Sequence, residues 1–242
     1  MIIAVIQART ESKRLPKKAI LKIGAETLIG SVINRVKKVK KVKKIILATT
    51  NSITDNKLAK IALAKKILVF RGSKNDVVNR FYNATKKIKP YAILRITGDC
   101  PLISPKILDQ LIDIFKKNKA DYASTSKRFA HGLDAEIFTF DLLKKINKKI
   151  KSKSDKEHIT QLMLKNKRIK KVTLYNKLNE SKFRITIDTK KDFFFIKKIV
   201  AYFEYKKITD YEFKDIKKYL NKNLNLLKIN KDAKSKRGLI TK

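Results

Sequence analysis

The sequence predicts an α/β fold: a mostly parallel sheet with helices on both faces and a small antiparallel excursion. Three observations carry this reading. Apolar, β-branched runs alternate with helix-period segments four times in the first 118 residues. Those runs are continuously apolar, as strands covered on both faces must be. No Pro/Gly/Ser linker divides the chain, so its 242 residues fit one domain.

Residues 2–8 (IIAVIQA) read as a buried strand. A polar, basic loop runs from Arg9 to Lys18. In residues 27–38, Leu28, Val32, Ile33 and Val36 recur at helical spacing. The VKK triplets that follow read as a helix end and a solvated connection. Residues 45–50 form a strand, 55–65 a helix and 67–70 a short strand. Ser73 and Asp76 have capping-box spacing for a helix reaching about Lys87. After the strand 91–97, Ser104 and Pro105 open a helix to about Lys117.

Beyond that point the alternation loosens. Residues 120–125 and 135–140 read as strands around the turn 129–132. Ser154–Glu157 reads as a capping box for a helix to about Asn166. Residues 169–175 and 183–188 are expected strands, and helices are expected at 190–205 and 212–221. The domain is drawn as 1–220, with its excursion at about 120–175 and a basic tail at 221–242.

Composition excludes several classes. One cysteine, Cys100, rules out an internal disulfide, and two histidines argue against a His-rich metal site. No apolar run approaches the roughly 20 residues of a membrane span, so no membrane insertion is expected. MIIAVIQAR lacks a basic region ahead of its apolar stretch, so a cytoplasmic setting is expected. The net charge of +40 invites a nucleic-acid reading. However, 51 of the 61 basic residues are lysines spread along the whole chain. Specific readers favour arginine, so no specific nucleic-acid partner is expected, only salt-sensitive binding to polyanions.

Three strand ends carry the candidate chemistry. Ligands of open α/β sheets sit beyond the carboxyl ends of the strands. There, Arg9, Arg14 and Lys18 can cradle phosphates. Asp99, after Gly98 at the end of YAILRIT, and Asp188, at the end of RITID, are placed to hold a hard cation. A plain turn with Pro101, and a helix cap at Thr189, are the competing readings for those two segments. P-loop, GxGxxG, GxSxG and HExxH motifs are absent.

ARTESKRLPKKAIL resembles the Arg-x-x-Ser-x-Arg-Leu-Pro-Gly-Lys-Pro-Leu signature of the cytidylyltransferases that activate acylneuraminate and 3-deoxy-manno-octulosonate. Arg9, Ser12, Arg14, Leu15, Pro16 and Lys18 match; Lys17 replaces the usual glycine and Ala19 the usual proline. VFRGSKNDVVNRFY, RITGDCPLI, HGLDAEIF, EHIT, RITIDT and INKDAKSKRGL together resemble most the branch named for spore coat polysaccharide biosynthesis protein SpsF. The resemblance implies a Rossmann-like nucleotidyltransferase fold and transfer of CMP from CTP to a sugar acid or sugar-like acceptor in surface polysaccharide or glycan biosynthesis. Use of another NTP and a non-catalytic polyanion-binding protein on the same fold are the alternatives. Arg14 and Lys18 would be catalytic. Ala8, Arg9, Ser12, Arg71 and Gly98 would meet the nucleotide, and Asp99 and Asp188 would hold Mg²⁺. Asp134, Glu136 and His158 are the acceptor candidates, with exposed carboxylates and a structural histidine as the alternatives. A homodimer is left open. A lysine at position 17 is expected to stiffen the loop.

Overall fold

A computed structural model describes residues 1–150, 152, 155, 156 and 159–233. The alternation holds through β1 (Ile2–Gln7), α1 (Leu28–Lys37), β2 (Lys44–Thr50), α2 (Asn56–Ala64), β3 (Leu68–Gly72), α3 (Val77–Thr85), β4 (Ala92–Thr97) and α4 (Pro105–Lys117). There follow β5 (Tyr122–Thr125), β6 (Glu136–Thr139), α5 (Phe140–Lys149), α6 (Gln161–Lys165), β7 (Lys171–Leu174), α7 (Lys190–Tyr205), α8 (Phe213–Lys222) and α9 (Leu224–Leu227).

Among the described residues these strands form one sheet in the order β3-β2-β1-β4-β6-β5-β7. β1, β2, β3 and β4 pair in parallel, whereas β6 runs antiparallel to both β4 and β5. Side chains alternate between two cores, as a strand's period of two requires. Ile2, Ala4 and Ile6 join the core beneath α1, α2, α4, α7 and α8; Ile3 and Val5 join that of α3 and α5. Successive crossovers from β1 run one way through β2 and β3, and β4 returns to the other side of β1. The switch point between β1 and β4 is where such a sheet leaves a crevice.

Several segments differ from the sequence reading. The cap of α3 is Asp76, which accepts from Asn79 N at 2.8 Å, and not Ser73. Ser73 Oγ instead accepts from the amides of Asn75 and Asp76, closing the turn before the helix. The Ser154–Glu157 box lies outside the described residues. The segment 183–188 is extended but joins no strand of the sheet. It bonds to the turn at His131, through His131 N to Phe183 O at 2.9 Å and Ile185 N to His131 O at 2.7 Å. Gly132, at φ 115°, makes room for this: a Cβ there would stand 2.7 Å from the Ile185 carbonyl carbon. The segment after 221 does not trail away as a polar tail. Leu226, Leu227 and Ile229 pack on the core, and Asn230 is buried. No helix among the described residues is long and apolar enough to cross a membrane.

All non-glycine residues with positive φ in the described chain are lysines: Lys17, Lys66, Lys89, Lys119 and Lys207. Lys66, Lys119 and Lys207 directly follow the C-caps of α2, α4 and α7, where glycine is usual. A side chain in that conformation costs about 1–2 kcal/mol, part of which glycine would return as unfolded-state entropy. Lys66→Gly and Lys119→Gly are therefore each expected to stabilise the fold by roughly 0.5–1 kcal/mol. Urea unfolding of the two variants checks this, and a lowered midpoint in both would contradict the strain argument.

Candidate active site

The basic loop after β1 is shaped from beneath by a buried carboxylate. Asp55 accepts from Thr10 N at 2.8 Å, Thr10 Oγ1 at 2.6 Å, Thr49 Oγ1 at 2.8 Å, and Thr50 N at 3.0 Å. These bonds hold its pKa low against the opposing effect of burial. They tie the end of β1 to the end of β2. Lys17 N donates to Thr10 O at 3.1 Å and Leu15 is buried, so the loop folds back over the sheet. Lys17 adopts φ 55°, in the left-handed region that favours glycine, the residue usual at this position of the signature.

The loop delivers Lys18 to the switch point. Its Nζ donates to Asp99 Oδ2 at 3.1 Å, Asp188 Oδ1 at 2.9 Å and Ile187 O at 2.7 Å. Arg14 reaches the same Asp188 oxygen at 2.9 Å, and Arg184 NH2 donates to Asp188 Oδ2 at 3.1 Å. Ile187 N donates to Asp99 O at 2.9 Å, which fixes the 183–188 segment against the end of β4. Gly98 permits the close approach of β4 to β1: a Cβ there would lie 2.7 Å from Ala8 Cβ. Burial disfavours the Asp188 carboxylate, but Lys18, Arg14 and Arg184 outweigh it and hold the pKa at about 2. Asp99 is also lowered, by Lys18 against burial. Burial would lower the Lys18 pKa, yet the two aspartates raise it.

Among the described residues no cluster of three or more His, Cys, Asp and Glu could hold a metal ion unaided. Asp99 and Asp188 do converge on one point, the position that the Lys18 ammonium takes. Two carboxylates completed by phosphate and water are an ordinary Mg²⁺ set. A flexible lysine is a displaceable occupant, so the donor chemistry fits a hard divalent ion once Lys18 turns to a phosphate.

A cavity of about 300 Å³ opens beside these carboxylates and is lined by Arg95, Thr97, Tyr122, Ser124, Asp134 and Glu136 among others. Glu136 is not an exposed loop carboxylate: it begins β6, forms an ion pair with Arg95 and accepts from Tyr122 OH at 2.6 Å. Asp134 accepts from Gly132 N at 3.0 Å. Cys100 is buried, and burial, with Asp99 beside it, pushes its thiol pKa well above the usual value. That suits packing and not nucleophilic attack.

Arg71 stands apart. Its guanidinium donates to Thr50 O at 3.0 Å, Ser52 O at 2.7 Å and Asn56 Oδ1 at 2.6 Å, so its donors brace the β2–α2 loop. Arg9 is exposed and Ser12 half-buried on the basic loop, and Ala8 is buried at its start. His158 lies outside the described residues. Sequence reasoning missed Arg184, whose bonds to Asp188 depend on the 183–188 segment leaving the sheet. It also missed Arg80, buried on α3, whose pKa burial and then Arg9 lower to about 10. Both lie inside motifs noted above, RITIDT and VFRGSKNDVVNRFY, but neither the partners of Arg184 nor the burial of Arg80 is readable from type or spacing.

The sequence profile described as cytidylyltransferase matches residues 3–233. The chain belongs to the cytidylyltransferase family. It is 31% identical over 206 residues to the spore coat polysaccharide biosynthesis protein SpsF of Bacillus subtilis, covering 81% of this chain and 85% of that one. It is 39% identical over 238 residues to an uncharacterized protein of Methanocaldococcus jannaschii, covering 97% and 96% of the two chains. The solved structure of a cytidylyltransferase from Leptospira borgpetersenii superposes with a TM-score of 0.87 at 34% identity, over 93% of this chain and 96% of that one. The protein is thus a nucleotidyltransferase with the Rossmann-like fold of that family.

The charge network also sets a pH dependence. Asp188 falls from an ordinary 3.8 to about 2 on folding. Its contribution is therefore complete above about pH 4 and is lost as the pH falls towards 2. Wild type is expected to lose about 1–2 kcal/mol over that interval that Asp188→Asn does not lose. Urea midpoints measured from pH 6 to 2 check this, and parallel curves for the two proteins would exclude it.

Proposed function

We propose that this cytidylyltransferase transfers CMP from CTP to a sugar or sugar-like acceptor, releasing pyrophosphate, in surface polysaccharide or glycan biosynthesis in the cytoplasm. The carrying observation is the convergence of Lys18, Asp99 and Asp188 at the β1–β4 switch point, with Arg14 on the same Asp188 oxygen. Such a cluster keeps cations ready for a triphosphate and carboxylates ready for its counter-ion.

In this reading an acceptor oxygen attacks the α-phosphorus of CTP in line. The new O–P bond forms as the bond to the β-phosphate oxygen breaks, pyrophosphate leaves with that electron pair, and the proton of an attacking hydroxyl passes to solvent. The work is mainly positioning and charge stabilisation. Arg9, Arg14 and Lys18 neutralise the triphosphate and the departing pyrophosphate. Asp99 and Asp188 would hold Mg²⁺, which supplies charge to the α-phosphate and acidifies the attacking hydroxyl. At a pKa of about 2, Asp188 is a weak base, so its part is charge and position, and not proton removal. The acceptor lies in the cavity beside Asp99, where Asp134 and Glu136 present acceptor oxygens to its hydroxyls. Because Glu136 is paired with Arg95, that wall offers matched donors and acceptors in place of a bare charge.

The test is a pyrophosphate-release screen of four NTPs with Mg²⁺ against nonulosonic, octulosonic and phosphorylated polyol acceptors. CTP is expected to be the active nucleotide, and CTP·Mg²⁺ to raise the melting temperature more than ATP, GTP or UTP at equal concentration. Equal shifts for all four, removed together by salt, would leave only phosphate binding. Lys18→Ala and Arg14→Ala are each expected to lower turnover roughly 10²-fold. Lys40→Ala and Lys43→Ala, which remove charge from the connection after α1, serve as controls. Equal losses from the two pairs would show that the loop has no special role.

A further inference from the structure

The segment that follows the last long helix reaches back to the charge network. Asp192 is fully buried at the third position of α7. Its Oδ2 accepts from Asp188 N at 3.1 Å, Thr189 N at 3.0 Å and Arg184 NH2 at 3.0 Å. Its Oδ1 accepts from Arg184 Nε at 2.8 Å and from Asn230 Nδ2 at 3.0 Å. The same Asn230 Nδ2 lies 3.1 Å from Arg184 O, and Asn230 is only 4% exposed. One amide from the carboxyl-terminal segment thus holds both the backbone of Arg184 and the carboxylate that orients its guanidinium.

We propose that Asn230 is a positioning residue for Asp188, acting through Asp192 and Arg184. This rests on reading Asp188 as an active-site carboxylate. The Arg184 fork is the link between Asp192 and Asp188. Nε and NH2 are fixed by Asp192, NH1 meets His131 Nδ1 at 2.7 Å, and NH2 also donates to Asp188 Oδ2. Removing Asn230 leaves Asp192 Oδ1 with Arg184 Nε as its remaining donor and takes the side-chain donor from Arg184 O. A buried carboxylate short of a donor is costly, so the Arg184 guanidinium shifts further towards Asp192. The shift draws NH2 away from Asp188 Oδ2. Asp188 then rotates on the two cations of Oδ1, and the point at which it meets Asp99 is lost. Such a displacement lowers turnover more than nucleotide affinity, because Arg14 and Lys18 remain in place for the phosphates. The tail therefore completes the site and is not an appendage to it.

The experiment compares Asn230→Ala with Leu227→Ala in the full chain. Leu227 packs on the core in the same segment and touches neither Asp192 nor Arg184 among the bonds above. Both variants should lower the melting temperature. Asn230→Ala should also lower kcat by about tenfold or more at 25 °C, with KM for CTP within about threefold. Leu227→Ala should leave kcat within about twofold. In ¹⁵N spectra, the Arg184 Nε–H of wild type should exchange slowly with solvent and lose that protection in Asn230→Ala alone. Unchanged kcat in Asn230→Ala, or equal kcat losses in both variants, overturns the proposal. Should Asn230→Ala fail to fold, Asn230→Ser, which keeps a shorter donor, is judged by the same criteria. If wild type itself fails to turn over CTP, the functional reading falls. The Nε–H protection then still decides whether Asn230 fixes Arg184, and retained protection in Asn230→Ala refutes that.

Discussion

The Lys18 ammonium, held between Asp99 and Asp188, is the constraint on which the rest of the site depends. It stands on the loop after β1, and its partners come from the end of β4 and the 183–188 segment. None of these charges is well solvated, and each would be expensive to bury alone. They are tolerable only together, so the three segments can take native positions only in concert. The network also explains why the site is preorganised. The cations that would meet a triphosphate are held beside the crevice by carboxylates, so an arriving nucleotide would need only the Lys18 side chain to turn.

Four buried or half-buried aspartates divide the labour. Asp99 and Asp188 face the crevice. Asp55 and Asp192 lie behind it and bind backbone amides and hydroxyls of the segments that bear the functional groups. Both supporting carboxylates are held charged by hydrogen bonds against the effect of burial, Asp192 with Arg184 as its largest helper. The loop after β1 and the turn before α7 are therefore irregular in shape but not loose. Their backbone donors are satisfied by carboxylates where a strand or helix would have used carbonyls.

The lysine excess belongs to the scaffold more than to the site. Only a few cations, Arg14, Lys18, Arg95 and Arg184 foremost, are placed against carboxylates in the crevice. Lysine has even taken the left-handed positions at helix ends that glycine usually fills. A net charge of +40 thus says little about a specific partner, because its lysines are spread along the whole chain.

By itself, the sequence determined the parallel half of the sheet, most helix boundaries and the membership of the site's centre. Period, capping residues and strand ends are local properties, and Thr189, Ser104 and the run through Lys18 carried them in the open. It also fixed the family, because several short motifs in order are far more specific than any one of them. Tertiary structure alone decided three things. It took FRITID out of the sheet, because its amides found the His131 turn and the Asp99 carbonyl in place of a neighbouring strand. It turned Arg71 to its own loop and Arg184 to Asp188, since the direction of an arginine depends on which carbonyls and carboxylates surround it. And it drew Asn230 out of a segment that read as a basic tail. A single buried amide has no periodicity to announce it, and its partner lies 38 residues away.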